Sequence, residues 1–304
     1  MNRYYKDFGE YMQEVFPGIK VQKLSIDAGF TCPNRDGSIG RGGCIYCNNA
    51  SFTPGYCSPQ DPVELQIEKG KAFFRKKYPE MKYLAYFQSY TNTFGKSIDI
   101  LAEMYRRAAG SEDVVGIIIG TRPDCLPDEL LDVLAELNKE KPVIVEIGAE
   151  TSSDHTLQLI NRNHTWKQVE EAAERLNSRG IRTGLHLIAG LPGEDANDVL
   201  ETIRKACSLP IDSIKLHQLQ IVKGTPLLKK WEAGEINVVP FSLEEYLELC
   251  VKIVLSVPHH ICIERFLSSS PPDMVVAPKW GLKNYQFTNL LMNRIAKKDI
   301  RPHF

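Results

Sequence analysis

The sequence predicts an α/β fold organised round a parallel sheet, and two observations carry this. From residue 83 to residue 221, short apolar runs alternate with helical patterns of ten to fifteen residues, the signature of βαβ units. Polar residues on those runs share one parity, as they would if one face of each strand pointed into a common interior. Six strand-helix units in succession make either an open doubly wound sheet or a barrel, complete or partial. The chain has 304 residues, 43% hydrophobic and 25% charged, with ample length for a large core.

Residues 3–16 read as a short amphipathic helix ending before Pro17-Gly18. Residues 21–28 (Val-Gln-Lys-Leu-Ser-Ile-Asp-Ala) alternate apolar with polar and form the first strand. A helix over 62–77 starts with Pro62 in its first turn, and residues 83–90 form the second strand. Helix 96–109 leads to strand 114–121, and helix 127–138 carries Leu130, Leu131, Leu134 and Leu137 on one face. Strand 142–149 follows. Helix 165–179 opens with a capping box, Thr165 and Gln168, and stops at Gly180. Strand 182–189, helix 194–207 and strand 213–221 complete the repeat. From Pro240 on, helices 242–256 (capping box Ser242 and Glu245) and 281–298, with a strand at 260–265 between them, read as a tail outside the repeat. The expected division is therefore 1–239 for the repeat and 240–304 for an extension packing on it.

Strands buried on both faces should be apolar throughout, so polar side chains on them need a reason. Glu146 and Glu150 are in phase with Gly148, His186 with Gly184, and Lys215 with His217. In a barrel, polar residues inside and near the C-terminal strand ends mark the active site; the structural alternative is mutual salt bridging, Glu146 with Lys215 for example.

The loop after the first strand contains Cys32, Cys44 and Cys47 at spacing C-x11-C-x2-C, with four glycines among them. Three thiolates are one short of a closed site: a 4Fe-4S cluster held by three leaves one iron open to an outside ligand. The competing reading adds Cys57 and closes a four-cysteine zinc knuckle, as in a non-catalytic adaptor.

Together these motifs resemble a radical S-adenosylmethionine (SAM) enzyme of the branch similar to the catalytic subunit of elongator. Thr31-Cys32-Pro33-Asn34-Arg35-Asp36-Gly37 followed by Gly42-Gly43-Cys44 resembles the small bacterial YhcC/YtqA-type proteins. The resemblance implies a partial (β/α)6 barrel of the radical SAM type with a C-terminal helical extension, and a 4Fe-4S cluster on Cys32, Cys44 and Cys47. It implies SAM as the second cofactor, cleaved by one electron from a reductant such as flavodoxin or ferredoxin to a 5'-deoxyadenosyl radical. Asn161-Arg162-Asn163-His164 resembles the segment whose arginine holds SAM in oxygen-independent coproporphyrinogen oxidase, which makes Arg162 a candidate for the methionine carboxylate. Glu150 and His186 fall where that enzyme contacts SAM. The usual Gly-Gly-Glu after strand two is absent; Gln88-Ser89-Tyr90-Thr91 stands there, so Gln88 and Thr91 become the SAM candidates. Tyr46, one position before the last cysteine, can lie against adenine. Lys215 and His217 are left as catalytic candidates.

That branch acts on the C5 side chain of wobble uridine in tRNA. The chain is too short for an added acetyltransferase domain, so a smaller change is implied, such as trimming a carboxymethylaminomethyl group to aminomethyl. A metabolite or peptide substrate is the alternative. A net charge of −1 gives no global attraction to a polyanion. A local patch is required: Lys69, Lys71, Arg75, Lys76, Lys77 and Lys82, or Lys279, Lys283, Arg294, Lys297, Lys298 and Arg301, with Phe73, Phe74, Tyr78, Trp280, Tyr285 and Phe287 interleaved. Eight cysteines are too sparse for a disulfide scaffold, no apolar signal core opens the chain and no apolar run reaches membrane length. The expected compartment is a reducing cytoplasm. G-x4-G-K-[ST], H-E-x2-H and G-x-S-x-G are missing, which weakens nucleotide hydrolysis, zinc proteolysis and serine-triad chemistry.

Overall fold

A computed structural model describes residues 4–51, 53–75 and 79–298, with Ala50 as backbone only. Its elements in order are β1 (Lys6–Asp7), α1 (Phe8–Val15), β2 (Val21–Ile26), α2 (Pro33–Asp36), α3 (Val63–Arg75), β3 (Lys82–Phe87), α4 (Ile98–Gly110) and β4 (Val114–Thr121). Then come α5 (Asp128–Glu140), β5 (Val143–Glu150), α6 (Asp154–Leu159), α7 (Trp166–Asn177), β6 (Arg182–Ala189), α8 (Ala196–Cys207) and β7 (Ser213–Gln218). β8 (Ile221–Val222), α9 (Pro226–Glu232), α10 (Leu243–Ser256), β9 (Cys262–Arg265), β10 (Val275–Ala277) and α11 (Asn284–Lys297) finish the chain.

The eight-stranded sheet has the order β2-β3-β4-β5-β6-β7-β9-β1, every pairing parallel, and curls into a half-barrel open between β2 and β1. The helices cover its outer face for the reason their periodicity predicts. Leu130, Leu131, Leu134 and Leu137 of α5 and Val169, Ala172, Ala173 and Leu176 of α7 are all buried. The capping boxes at Thr165 and Ser242 form.

The inner face has two storeys. At the N-terminal strand ends, Leu84, Ile118, Ile144 and Cys262 pack against Tyr11, Met12 and Phe16 of α1 and its C-cap, so this helix plugs the floor of the half-barrel. Two residues further along the same faces stand Tyr86, Gly120 and Glu146, and there the interior turns polar and open. Gly184 makes room for that change: a Cβ on it would lie 2.6 Å from Ser213 Oγ and 3.6 Å from Glu146 Cγ.

Four expectations are corrected. The N-terminal helix begins at Phe8, not residue 3, because Asp7 caps it in a box with Glu10 and leaves Lys6–Asp7 extended as an edge strand. The tail does not stand outside the sheet: β9 pairs with β7, and β1 pairs with β9. The first strand stops at Ile26, and the strand expected over 213–221 stops at Gln218, after which β8 pairs antiparallel with β10 in a separate ribbon. α10 packs on α8 and α11. Among the described residues, no helix is long and apolar enough to cross a membrane.

Candidate active site

A cavity of about 350 Å³ opens at the C-terminal ends of β3 to β7 and β9. Cys32, Cys44, Cys47, Tyr46, Gln88, Thr91, Glu150, Arg162, His186, Lys215 and His217, all singled out in the sequence, line it. The local reasons differ at its two ends.

At one end, Cys32 is the N-cap of α2, Pro33 starts that helix and Gly37, at φ 98°, ends it. The loop that follows is held mainly by groups distant in sequence. Asn161 Nδ2 donates to Gly43 O (2.7 Å), Ile45 N to Ile160 O (3.0 Å), and Leu227 N to Ile45 O (2.8 Å). Fully buried Asn34 donates to Cys44 Sγ at 3.6 Å and also to Asn161 O. Arg162 reaches Cys44 Sγ with Nη1 (3.7 Å), Gly148 O with Nη2 (2.6 Å) and Glu150 Oε1 at 3.3 Å, while its buried Nε has no partner. A Cβ at 148 would stand 2.4 Å from Arg162 Nη2 and 2.9 Å from Glu150 Oε1, so any larger residue would displace this pair. Glu150 sits at φ 68°, a conformation non-glycine residues rarely adopt, and this strain marks the strand end as functional ground.

These residues suit an iron-sulfur cluster. Thiolates are the soft donors such clusters take, and two sulfur-directed donors, Asn34 and Arg162, stand behind Cys44. Burial, followed by the neighbouring Cys44, pushes the Cys47 thiol up to about 12, so its thiolate needs a nearby positive centre. Cys57 is not part of this wall: its Sγ donates to Ser25 O at 3.0 Å.

At the other end lies an ion-pair network. Glu146 accepts from Lys23 (2.7 Å), Lys215 (3.1 Å), Tyr86 OH (2.7 Å) and, at 2.6 Å, meets His186 Nε2. Glu264 pairs with Lys23 at 2.7 Å and Lys215 at 3.2 Å. Burial disfavours the Glu146 charge, yet Lys215, Lys23 and His186 hold its carboxyl well below the usual range. Burial also works against both lysines. It prevails at Lys215, which lies beside Lys23 and Arg265, and is outweighed at Lys23, whose two carboxylates both stand at 2.7 Å. His186 and His217 are both lowered, burial first, then Lys215 for His186 and Arg265 for His217. The Glu146–Lys215 bridge weighed from the sequence therefore exists, inside the cavity wall.

Sequence reasoning missed several participants. Arg122, 1% exposed, makes a bidentate pair with Asp124 (2.8 and 2.7 Å) and donates to Arg162 O at 2.9 Å. The signal was Thr121-Arg122-Pro123-Asp124, a charged run at the C-terminal end of β4. Tyr86, Lys23, Glu264 and Arg265 also went unmarked; Lys23, Tyr86 and Glu264 lie in phase with inward-facing positions but in strands that the helical tail and the cysteine loop obscure.

The expected basic patches are mostly neutralised. Lys71 is buried beside Glu68 and Asp113; Lys82 and Arg75 also pair with Asp113, and Lys69 with Asp61. Lys82 and Asp113 lie at N-terminal strand ends, opposite the cavity mouth. Arg294 pairs with Glu244 and Glu248, and Lys298 with Glu248. Phe287 is core and stacks with Trp280, Phe74 packs against the core, and Phe73 and Tyr285 are exposed. Lys76, Lys77, Tyr78 and Arg301 lie outside the described residues.

Comparison with known proteins agrees with this geometry. The family model of the Radical SAM superfamily matches residues 34–206, and that of the Radical_SAM C-terminal domain matches residues 211–297. The chain is similar to YtqA of Bacillus subtilis, 36% identical over 294 residues that cover 97% of this chain and 90% of YtqA. It is similar at 24% identity to a tRNA uridine(34) acetyltransferase of Methanocaldococcus jannaschii, over 62% of this chain but only 34% of that protein. Its fold is like that of Methanocaldococcus infernus Elp3, with a TM-score of 0.66 at 18% identity, covering 93% of this chain and 65% of the Elp3 chain. A family match across more than half of the chain, and a relative alike over nearly all of it, make this protein a member of the radical SAM superfamily, whose cofactors are a 4Fe-4S cluster and SAM.

Proposed function

We propose that this radical SAM enzyme acts on the C5 side chain of wobble uridine in tRNA, trimming a carboxymethylaminomethyl group to aminomethyl. The observation that carries the reading is the polarity of one cavity, with three thiols at one end and a charged, ion-paired wall at the other. When bound, the cluster and SAM would supply, with one electron from a reductant such as flavodoxin or ferredoxin, a 5'-deoxyadenosyl radical able to take a hydrogen atom from the carboxymethyl methylene; loss of a second electron to the oxidised form of that carrier and addition of water would release the group as glyoxylate and leave the aminomethyl.

Cys32, Cys44 and Cys47 hold the cluster. Arg162, with its unpartnered Nε, takes the methionine carboxylate. Glu150, Gln88 and Thr91 take the amino end, and Tyr46 and His186 flank the nucleoside. Residues 1–239 thus carry the cofactor end, and 240–304 shape the substrate end through Glu264 and Arg265. His217, kept neutral by burial and by Arg265, meets the Arg265 guanidinium at 3.2 Å and faces the substrate end uncharged. Lys215 keeps the wall's charge in place beside it.

The name of the archaeal relative, a tRNA uridine(34) acetyltransferase, supports the tRNA reading. So do the cations near the mouth: Arg35, Arg41 and Lys223 are exposed and have no carboxylate partner among the described residues. Arg35 lines the cavity and lies over the Tyr90 ring. The test compares modified nucleosides in tRNA from cells with and without the gene. Accumulation of the carboxymethylaminomethyl form without the gene supports the reading, and an unchanged wobble profile transfers the same chemistry to a metabolite or peptide.

A further inference from the structure

The three cations at the substrate end of the cavity are unequally matched. Lys23 and Lys215 share Glu146 and Glu264 between them. Arg265, on β9, has no carboxylate partner among the described residues: its Nη2 faces the ring nitrogens of His217 at 3.2 and 3.3 Å, and its buried Nε has no hydrogen-bond partner. With both histidines neutral, this wall holds three cations against two carboxylates, so one positive charge is uncompensated beside an open cavity. A partly buried guanidinium without an anion is unfavourable, and its planar fork of donors matches a carboxylate.

The surroundings fit the same ligand. Ser268, Ser269 and Ser270 line the cavity directly after β9. Ser268 Oγ donates to Gln218 O at 2.8 Å and stands 3.4 Å from His217 Nδ1, so it braces His217 and leaves the guanidinium as the donor for an anion. Arg265 lines the same cavity as the cysteines, but the group that meets it, His217, is not one of those that hold the cysteine loop, Asn34, Asn161 and Arg162.

We infer that Arg265, flanked by His217 and Ser268, is a subsite for an anionic group of the substrate, specifically a carboxylate. The inference rests on the tRNA reading only for the identity of that group: it places there the carboxymethyl end of the uridine side chain. A single surplus charge matches a monoanion better than a phosphate monoester, which carries nearly two.

The test uses the anaerobically reconstituted protein and three probes: the nucleoside 5-carboxymethylaminomethyluridine, its neutral amide, and uridine 5'-monophosphate. A charge-assisted contact is worth ten- to a hundredfold in affinity, so the wild type should prefer the acid to the amide by that factor. Arg265→Ala should abolish the preference with unchanged iron content, and Arg265→Lys should restore part of it. Equal or absent binding of acid and amide by the wild type overturns the subsite, as does an acid preference that survives in Arg265→Ala. Tighter, Arg265-dependent binding of the monophosphate overturns the choice of carboxylate. The nucleoside profile judges the tRNA reading separately: a normal profile with acid preference intact sinks that reading and keeps the subsite, while an altered profile without acid preference does the reverse.

Discussion

Glu146→Gln removes one charge from the centre of the cavity wall and no volume. The carboxylate has four partners within 3.1 Å, among them buried Lys215 and partly buried Lys23. Glutamine presents one donor face to a wall of donors, so at least one lysine loses a carboxylate. Breaking a buried pair by removing one partner costs about 3–5 kcal/mol. Glu264 still reaches both lysines, at 2.7 and 3.2 Å, which puts the expected loss near the lower end, about 3 kcal/mol. For a chain of this length, unfolding entropy of about 2 cal/mol/K per residue turns that into a midpoint about 5 °C lower. Urea unfolding of the two proteins side by side measures it directly. The pH dependence supplies an independent check. Because the folded-state carboxyl is held below its ordinary value of 4.5, its contribution is fully present above that value and is lost as pH falls through the folded value. The gap between wild type and Glu146→Gln should be full at pH 7 and close only below about pH 4.5. A gap under about 1 kcal/mol at neutral pH, or one that persists unchanged in acid, refutes the assignment of Glu146 as the electrostatic centre.

Anaerobic protein should carry about four irons and four sulfides per chain; alanine at Cys32, Cys44 or Cys47 should remove them, and Cys57→Ala should not, since its thiol is bonded to Ser25 O. Stoichiometric zinc in the wild type would refute the cluster. Arg162→Ala should weaken SAM binding about thirtyfold, the value of one buried charge-assisted contact of about 2 kcal/mol, with iron retained; unchanged affinity by equilibrium dialysis would leave Arg162 as a clamp on Cys44 and Gly148 alone. Binding of tRNA should fall with salt, with a log–log slope of roughly 0.7 to 0.9 per neutralised phosphate. Arg41→Glu with Lys223→Glu should shallow that slope, whereas reversing Lys69 and Lys82, already paired with Asp61 and Asp113, should not.

The legible parts of the fold were those written in local periodicity. α5 and α7 lie where their leucine and alanine spacing places them, and the parity of Glu146, His186 and Lys215 on their strands predicted a shared inner face. β1 was not legible, and β9, expected as a strand over 260–265, gave no sign of its place in the sheet. The first has two residues in front of a capping box, and the second has four between two helices. β1 is too short to show a period and becomes a strand only because the edge of β9 offers backbone partners, and the pairing of β9 with β7 is not a local property. The same limit hid Lys23, whose two carboxylates lie 123 and 241 residues away.

By itself the sequence determined the alternation of strands and helices from β2 to β7, the three-cysteine loop and the polar face of the interior, since each depends on spacing within a few residues. Tertiary structure decided the pairings. It joined Asn161 and Arg162 to the cysteine loop, kept Cys57 out of that wall, and neutralised most of the lysines that looked like a docking patch. It also left Arg265 without a carboxylate while Lys23 and Lys215 shared two. Periodicity shows which way a side chain points, but a charge acquires its function from the groups it meets, and those come from the far ends of the chain.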